Sequence, residues 1–266
     1  MRPEESPTDH IFILTDRYDY LIVSWDPENQ IIRNYKTAVE VADRFLRESP
    51  VGTKYIADPA GRMLGIYAYE GTFLALPVIQ QAPADRKRRK KIGVAGDLEG
   101  QYPLKMQELA VKDIAFLYGT DQPMLAVLHG DNRRNPAELS TYNIVSVGGT
   151  WELQKWDDGT RILEQEAEML IPVPEPLGGV LVVGDNNISH FSVGKDGEAI
   201  SRSSVRPTRF VAWGLIDSQR FLLSGENGML ALLFLDLDEG RKLQTIKLEM
   251  IGPVSLSTIK SPGRLD

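Results

Sequence analysis

Residues 62–78 read RMLGIYAYEGTFLALPV: an apolar run, a turn at Tyr69-Glu70-Gly71, and a second apolar run. Runs this short, cut by Gly, Asp, Asn and Pro, suit strands; helices need longer stretches with a period of about 3.6 residues. The glycine supplies the positive φ that a tight hairpin demands. The stretch is therefore a β-hairpin. It returns as GGVLVVGDNNISHFSV at 178–193 and as RFLLSGENGMLALLFLDL at 220–237, whose turn is Glu226-Asn227-Gly228. Weaker copies are IFILTDRYDYLIVSW at 11–25 and PMLAVLHGDNRRNPAELSTYNIV at 123–145.

Flanking strands surround these hairpins. VKDIAFLYG (111–119), AEMLIPVP (167–174) and TRFVAWGLI (208–216) precede the last three; TWELQKW (150–156), EAISRSSV (198–205) and KLQTIKLEM (242–250) follow them. Four strands per unit, the inner strand first, is the blade plan of a β-propeller. The predicted fold is thus all-β, with four-stranded antiparallel blades. Leu64, Leu125, Val182 and Leu222 mark the pre-turn strands at unequal steps, about 60 residues at first and about 40 at the last, so no strict short repeat applies. The excess lies in the connections 80–100 and 131–139. TAVEVADRFL at 37–46 is the one helix candidate, and the repeat favours an outer strand there.

Counting gives nearly complete blades from Gly52 to about Met250, a partial blade before them, and a candidate next inner strand, IGPVSLSTI, at 251–259. A seven-blade ring needs about 350 residues at roughly 50 per blade; the chain has 266. The alternatives are a five-blade ring with a composite blade and an incomplete piece of a larger ring, and the tail SPGRLD favours the second. The expected organisation is a disordered N-terminus over 1–10, a partial propeller over 11–259 and a tail over 260–266.

The composition, 42% hydrophobic and 25% charged, is ordinary for a globular protein. A net charge of −7 opposes nucleic-acid binding except where positive charge is concentrated. Cysteine is absent, which excludes disulfides, thiolate nucleophiles and sulfur-built zinc sites. The polar N-terminus is no secretory signal or transit peptide, and the longest strongly apolar stretch, 229–235, is too short for a membrane span. A soluble intracellular protein is expected.

Four segments carry a resemblance beyond the repeat: IADPAGRMLGIYAYEGTF (56–73), ELAVKDIAFLYGTDQP (108–123), EAEMLIPVPEPLGGVLVVGDNNISH (166–190) and LLSGENGMLALLFL (222–235). In this order they resemble the first propeller of the family of the damaged-DNA-binding protein's large subunit. That family also includes the A subunit of the cleavage and polyadenylation specificity factor, a spliceosomal subunit, and a yeast protein named for methyl methanesulfonate sensitivity. PEPLGG (174–179) and FLYG (116–119) are the most specific parts. The resemblance implies a scaffold built from three seven-blade propellers. Its damaged-DNA-binding member is an adaptor of a cullin–RING ubiquitin ligase, with the first and third propellers holding substrate receptors. This chain corresponds to part of the first propeller only, and no receptor-contacting residue carries over.

The densest charge run is Arg86, Lys87, Arg88, Arg89, Lys90 and Lys91. Six adjacent cations repel one another and belong on an exposed loop. The run supports a nuclear import signal, a phosphate-binding patch, or a solvated loop without a partner. No aromatic is interleaved, so nucleic-acid contact there would be salt-sensitive phosphate attraction without base stacking. His10, His129 and His190 have no ligand spacing, and strand or turn roles are expected for His190 and His129. Asp157-Asp158 and the Asp236, Asp238, Glu239 group lack the remaining ligands of a calcium loop. No phosphate-cradling helix follows Gly178-Gly179, and Gly-x-Ser-x-Gly is absent. Trp25, Trp151, Trp156 and Trp213 fall in or beside strands, where blade packing is expected for most and exposure to a partner for one. Asp113 is nearly alone among ionisable groups on the inner strands.

These features predict a non-enzymatic scaffold for nuclear protein–protein assembly, with an RNA-processing subunit as the alternative and a propeller enzyme as a remote second one. Hairpin tips and inter-strand loops would present the binding surface. No catalytic residue, cofactor, metal, small-molecule substrate or membrane partner is expected. The expected partners are protein subunits of a larger complex, either substrate receptors or RNA-processing subunits, with nucleic acid as a further option. The expected location is the nucleus, with the cytoplasm as a second compartment.

Overall fold

The computed structural model describes residues 10–15, 19–38, 46–80, 96–130, 136–156, 161–163, 166–192, 200–204 and 209–253. Every regular element among them is a strand. None of the described residues forms a helix long and apolar enough to cross a membrane.

The strands form five antiparallel sheets in chain order. The first holds β1 (His10–Leu14), β2 (Asp19–Asp26) and β3 (Ile31–Ala38). The second holds β4 (Lys54–Ala57), β5 (Met63–Tyr69), β6 (Thr72–Pro77) and β7 (Tyr102–Lys105). The third holds β8 (Val111–Phe116), β9 (Met124–His129), β10 (Glu138–Val147) and β11 (Thr150–Lys155), and β12 (Arg161–Ile162) pairs with the start of β10. The fourth holds β13 (Ala167–Pro172), β14 (Val180–Gly184), β15 (Asn187–Phe191) and β16 (Ile200–Ser204). The fifth holds β17 (Phe210–Asp217), β18 (Arg220–Gly225), β19 (Met229–Leu237) and β20 (Leu243–Pro253). Each is a meander whose spatial order is its sequence order, apart from β12, which joins β10. The chain divides into two compact units, Met1–Ile162 and Leu163–Asp266.

All five predicted hairpins form, and the turn residues explain two of them. Tyr69 pairs with Thr72 across Glu70-Gly71, and Gly71 takes a φ of 73°. Gly228 takes a φ of 78°, with its N–H on the Gly225 carbonyl at 3.0 Å, while Asn227 Oδ1 accepts from Met229 N at 3.1 Å. The sequence pattern gives no strand at 102–105 because Pro103 interrupts it. As the edge strand β7, that segment tolerates the missing N–H.

Two boundaries differ from expectation. Residues 251–253 do not open a new inner strand; they extend β20, with Leu230 opposite Gly252 and Met229 opposite Pro253. A bulge between Leu230 and Ala231 and the positive φ of Gly252 (108°) let the outer strand run on. Residues 254–259 lie outside the described set. β1 begins at His10, just inside the segment expected to be disordered; residues 1–9 lie outside the described set. Of the helix candidate at 37–46, Thr37 and Ala38 end β3, and residues 39–45 are not among those described.

Packing follows the strand alternation. In the first unit, Ile22 of the first sheet is buried with Leu64, Ile66, Leu74 and Leu76 of the second. The second and third sheets share Met63, Tyr67, Phe73, Phe116, Leu125, Val127 and Ile144, with Phe73 and Phe116 edge-to-face at 6.1 Å. In the second unit, Ile171, Leu181 and Ile188 of the fourth sheet meet Phe221, Leu223, Leu233 and Ile246 of the fifth. Sheet-to-sheet burial of this kind is the dominant favourable term in folding.

Candidate interaction surface

Polar groups inside the first unit serve the scaffold. The turn from β4 to β5 is ADPAGR, and Asp58 in it has a side chain with no exposure. Arg62 grips it with two parallel bonds, Nε to Oδ2 at 2.7 Å and Nη2 to Oδ1 at 2.8 Å, and Arg62 N donates to Oδ2 at 3.1 Å. The same guanidinium reaches the third sheet, donating from Nη1 to the Thr120 carbonyl at 2.6 Å and from Nη2 to Thr120 Oγ1 at 3.3 Å. Bidentate pairing of this kind fixes orientation as well as supplying energy. One side chain thus ties a turn of the second sheet to a loop of the third. The Asp-Pro-x-Gly-Arg signal was visible in the sequence, though its partner Thr120 was not.

Beside the third sheet, Tyr142 donates its hydroxyl to Glu108 Oε1, while Glu108 Oε2 is buried without a partner among the described residues. Burial first, and then this bond and the carboxylate's charge, push the Tyr142 phenol well above its ordinary range. His129 Nε2 lies 3.0 Å from Ser140 Oγ, and burial holds its pKa below the usual value against the opposing pull of Glu108 and Glu138. On the first strands of these sheets, Lys54 Nζ pairs with Asp113 Oδ1 at 3.2 Å. Asp113 is therefore a neutralised partner on β8.

In the second unit the PEPLGG loop closes on itself. Gly178 N donates to the Pro174 carbonyl at 3.1 Å and Val173 N to the Gly179 carbonyl at 3.0 Å. His190, fully buried on β15, donates from Nε2 to the Gly178 carbonyl at 2.8 Å, and its Nδ1 has no partner among the described residues. The ring is a latch on the loop, in the strand position expected of it. Burial lowers the His190 pKa, partly offset by the Gly178 bond. Above the unfolded value of 6.5 both states are neutral and the fold loses nothing. As pH falls below that value the unfolded chain takes up the proton first, so stability drops until the folded pKa is passed. Urea midpoints should therefore fall from pH 7 towards pH 5, and His190→Asn should flatten that slope; an unchanged slope would refute the assignment.

The remaining candidates are placed as follows. The basic run from Arg86 to Lys91 and the pair Asp157-Asp158 lie outside the described residues. His10 is buried in β1. Asp236 pairs with Lys247, and Asp238 Oδ1 accepts from Lys242 N at 2.7 Å, so both are turn and strand-edge groups. No group of three or more potential metal ligands comes together among the described residues. The tryptophans correct the sequence reading. Trp151 packs, with Tyr102 at 6.3 Å, but Trp25, Trp156 and Trp213 are all exposed. Their positions explain it: Trp25 is on the outer face of the first sheet, Trp156 follows the outermost strand of the third, and Trp213 sits on the edge strand of the fifth. A strand pattern tells which residues share a face, not whether that face is covered.

The hairpin tips differ in charge, not in anchoring. The Glu70-Gly71 tip is tied down, with Glu70 N on the Arg47 carbonyl and Met106 N on the Gly71 carbonyl, each at 2.9 Å. In the second unit the tips are acidic, and the Glu226 tip is held in the same way, with Glu226 N on the Arg209 carbonyl at 3.0 Å. Glu168 of β13, Glu226 of the β18–β19 turn, Asp185 of the β14–β15 turn and Glu166 gather around Arg209. Arg209 lies 2.8 Å from Glu168 and 3.9 Å from Glu226. Burial, followed by the charges of Glu168 and Glu166, raises the Asp185 carboxyl above its ordinary range. A field of this sign beside an uncovered apolar strand suits recognition and offers no reaction chemistry by itself.

Comparison with known proteins agrees with the blade plan. The family model described as RSE1/DDB1/CPSF1 first beta-propeller matches residues 1–259. The chain belongs to this family. Within the RSE1/DDB1/CPSF1 family, it is similar to DNA damage-binding protein 1a of Arabidopsis thaliana, with 32% identity over 264 residues, 97% of this chain and 22% of that protein. It is similar also to DNA damage-binding protein 1 of Drosophila melanogaster (30% over 261 residues, 96% and 21%) and of Schizosaccharomyces pombe (28% over 267 residues, 97% and 23%). The chain thus spans about a fifth of the length of these relatives. In family terms the five sheets are propeller blades, the first with three described strands.

Proposed function

We propose that this chain is a non-enzymatic protein-interaction scaffold acting in the response to DNA damage, in the nucleus. The observation that carries the reading is the match, over nearly all of this chain, to relatives named as DNA damage-binding proteins, joined to a fold whose buried polar groups tie loops and sheets together. Its partners are protein subunits, substrate receptors of a ubiquitin ligase in particular, and the acidic tips of the second unit suit basic protein surfaces better than phosphates. Proximity labelling by the full chain in cells tests this. Ligase receptors should be enriched over cleavage and splicing subunits, and the reverse enrichment would replace the reading with RNA processing. For the location, a fluorescent fusion should move to the cytoplasm when Arg88, Arg89 and Lys90 are replaced by alanine. An unmoved fusion would leave the run a solvated loop.

A further inference from the structure

β17 stands at the free edge of the fifth sheet, hydrogen-bonded to β18 on one side and to no other strand among the described residues. Its exposure is unlike that of its counterpart β13, where Met169, Leu170 and Ile171 are buried. Along β17, Val211 is 56% exposed, Trp213 37%, Leu215 44% and Ile216 51%, and Ala212 and Gly214 are exposed too. From Val211 to Ile216 there is no charge and no proline, the two devices that usually blunt a sheet edge. Bulges at Val211 and Ile216 bracket a regular window, Ala212 to Leu215, whose outward N–H and C=O groups can template another strand. At the Phe210 end lie the carboxylates of Glu166, Glu168, Asp185 and Glu226 around the cation of Arg209. The edge is therefore apolar along its length and negative at one end.

We propose that β17 accepts an extended, uncharged segment of a partner protein as an added antiparallel strand, with a lysine or arginine at the segment's C-terminal end set against Glu168, Asp185 and Glu226. Antiparallel pairing is the more stable arrangement per residue, and it brings the segment's C-terminus to the Arg209 end of β17. The main-chain ladder supplies affinity and the carboxylates supply direction and specificity. This deepens the scaffold reading by naming the chemistry of the partner.

The test uses the full chain and a labelled peptide that alternates threonine and valine and ends in Arg-Lys, followed by fluorescence anisotropy. Saturable binding is expected, with about tenfold or greater weakening when the peptide ends in Glu-Glu. Ala212→Lys and Leu215→Lys place a charge on the edge and should each abolish binding while leaving the urea midpoint unchanged, because both side chains are on the surface. Asp185→Lys with Glu226→Lys should transfer the preference to the Glu-Glu peptide. No binding by the wild-type chain, equal binding of both peptides, or full binding by Ala212→Lys would overturn the proposal. So would a dimer of the free chain that Ala212→Lys dissociates, since a second copy would then occupy the edge. If Ala212→Lys loses the peptide yet keeps its receptors in the labelling experiment, the edge site stands apart from receptor binding. If the wild-type chain labels no receptor at all, it is the scaffold reading that fails.

Discussion

Replacing Arg62 by alanine is expected to lower the unfolding free energy of this chain by about 3–5 kcal/mol, the cost of stranding one partner of a buried ion pair. Asp58 is left with a carboxylate that has no exposure and only backbone donors such as Arg62 N. The Thr120 carbonyl loses its donor at the same time, so the loop after β8 is released from the second sheet. Arg62→Lys should recover little, because an ammonium cannot hold Asp58 by two parallel bonds and reach Thr120 as well. Removing both side chains should cost less than the two single losses added together, the signature of direct coupling. Urea denaturation of the singles and the double checks this. A loss under about 1 kcal/mol for Arg62→Ala would place the pair among surface ion pairs of little consequence.

Gly179→Ala should be comparably damaging, at about 3 kcal/mol or more, from strain and overpacking combined. Gly179 has a φ of 79°, and a Cβ there would lie 2.2 Å from the Phe191 carbonyl oxygen and 3.0 Å from His190 Nε2. The nearer obstacle is backbone on the paired strand β15, which cannot rotate away as a flexible side chain would. Its neighbour Gly178 isolates the two effects. With a φ of 69° and open space where its Cβ would point, Gly178→Ala carries the backbone strain alone, about 1–2 kcal/mol. Urea midpoints should therefore rank wild type, then Gly178→Ala, then Gly179→Ala. Equal losses would show that close approach to Phe191 is not what requires glycine here.

Much of this architecture was legible along the chain. The hairpin turns at Glu70-Gly71 and Glu226-Asn227-Gly228 are local devices, and a short segment contains all the information they need. The same holds for the flanking strands, whose apolar runs begin within two residues of the starts of β8, β13 and β17. β7 was missed because its pairing with Thr72, Phe73, Leu74 and Ala75 outweighs a proline-broken pattern. The end of β20 was misplaced because a bulge, which leaves no mark in periodicity, carried the strand on to Pro253. Interaction features were harder to see. His190, expected as a strand residue, sits on β15, while Asp113, noted only as an ionisable group on an inner strand, pairs with Lys54. The Arg62 contact with Thr120 joins residues far apart in sequence and had no local sign.

The sequence by itself determined the all-β class, the repeated four-strand unit and the family, because hairpin geometry and strand period are set by neighbouring residues. Tertiary structure decided which apolar strands are covered. Ile171 and Leu215 occupy corresponding strands of adjacent sheets and look alike in sequence, yet one is buried and the other is 44% exposed. Burial depends on what packs against a face, and that is a property of distant segments.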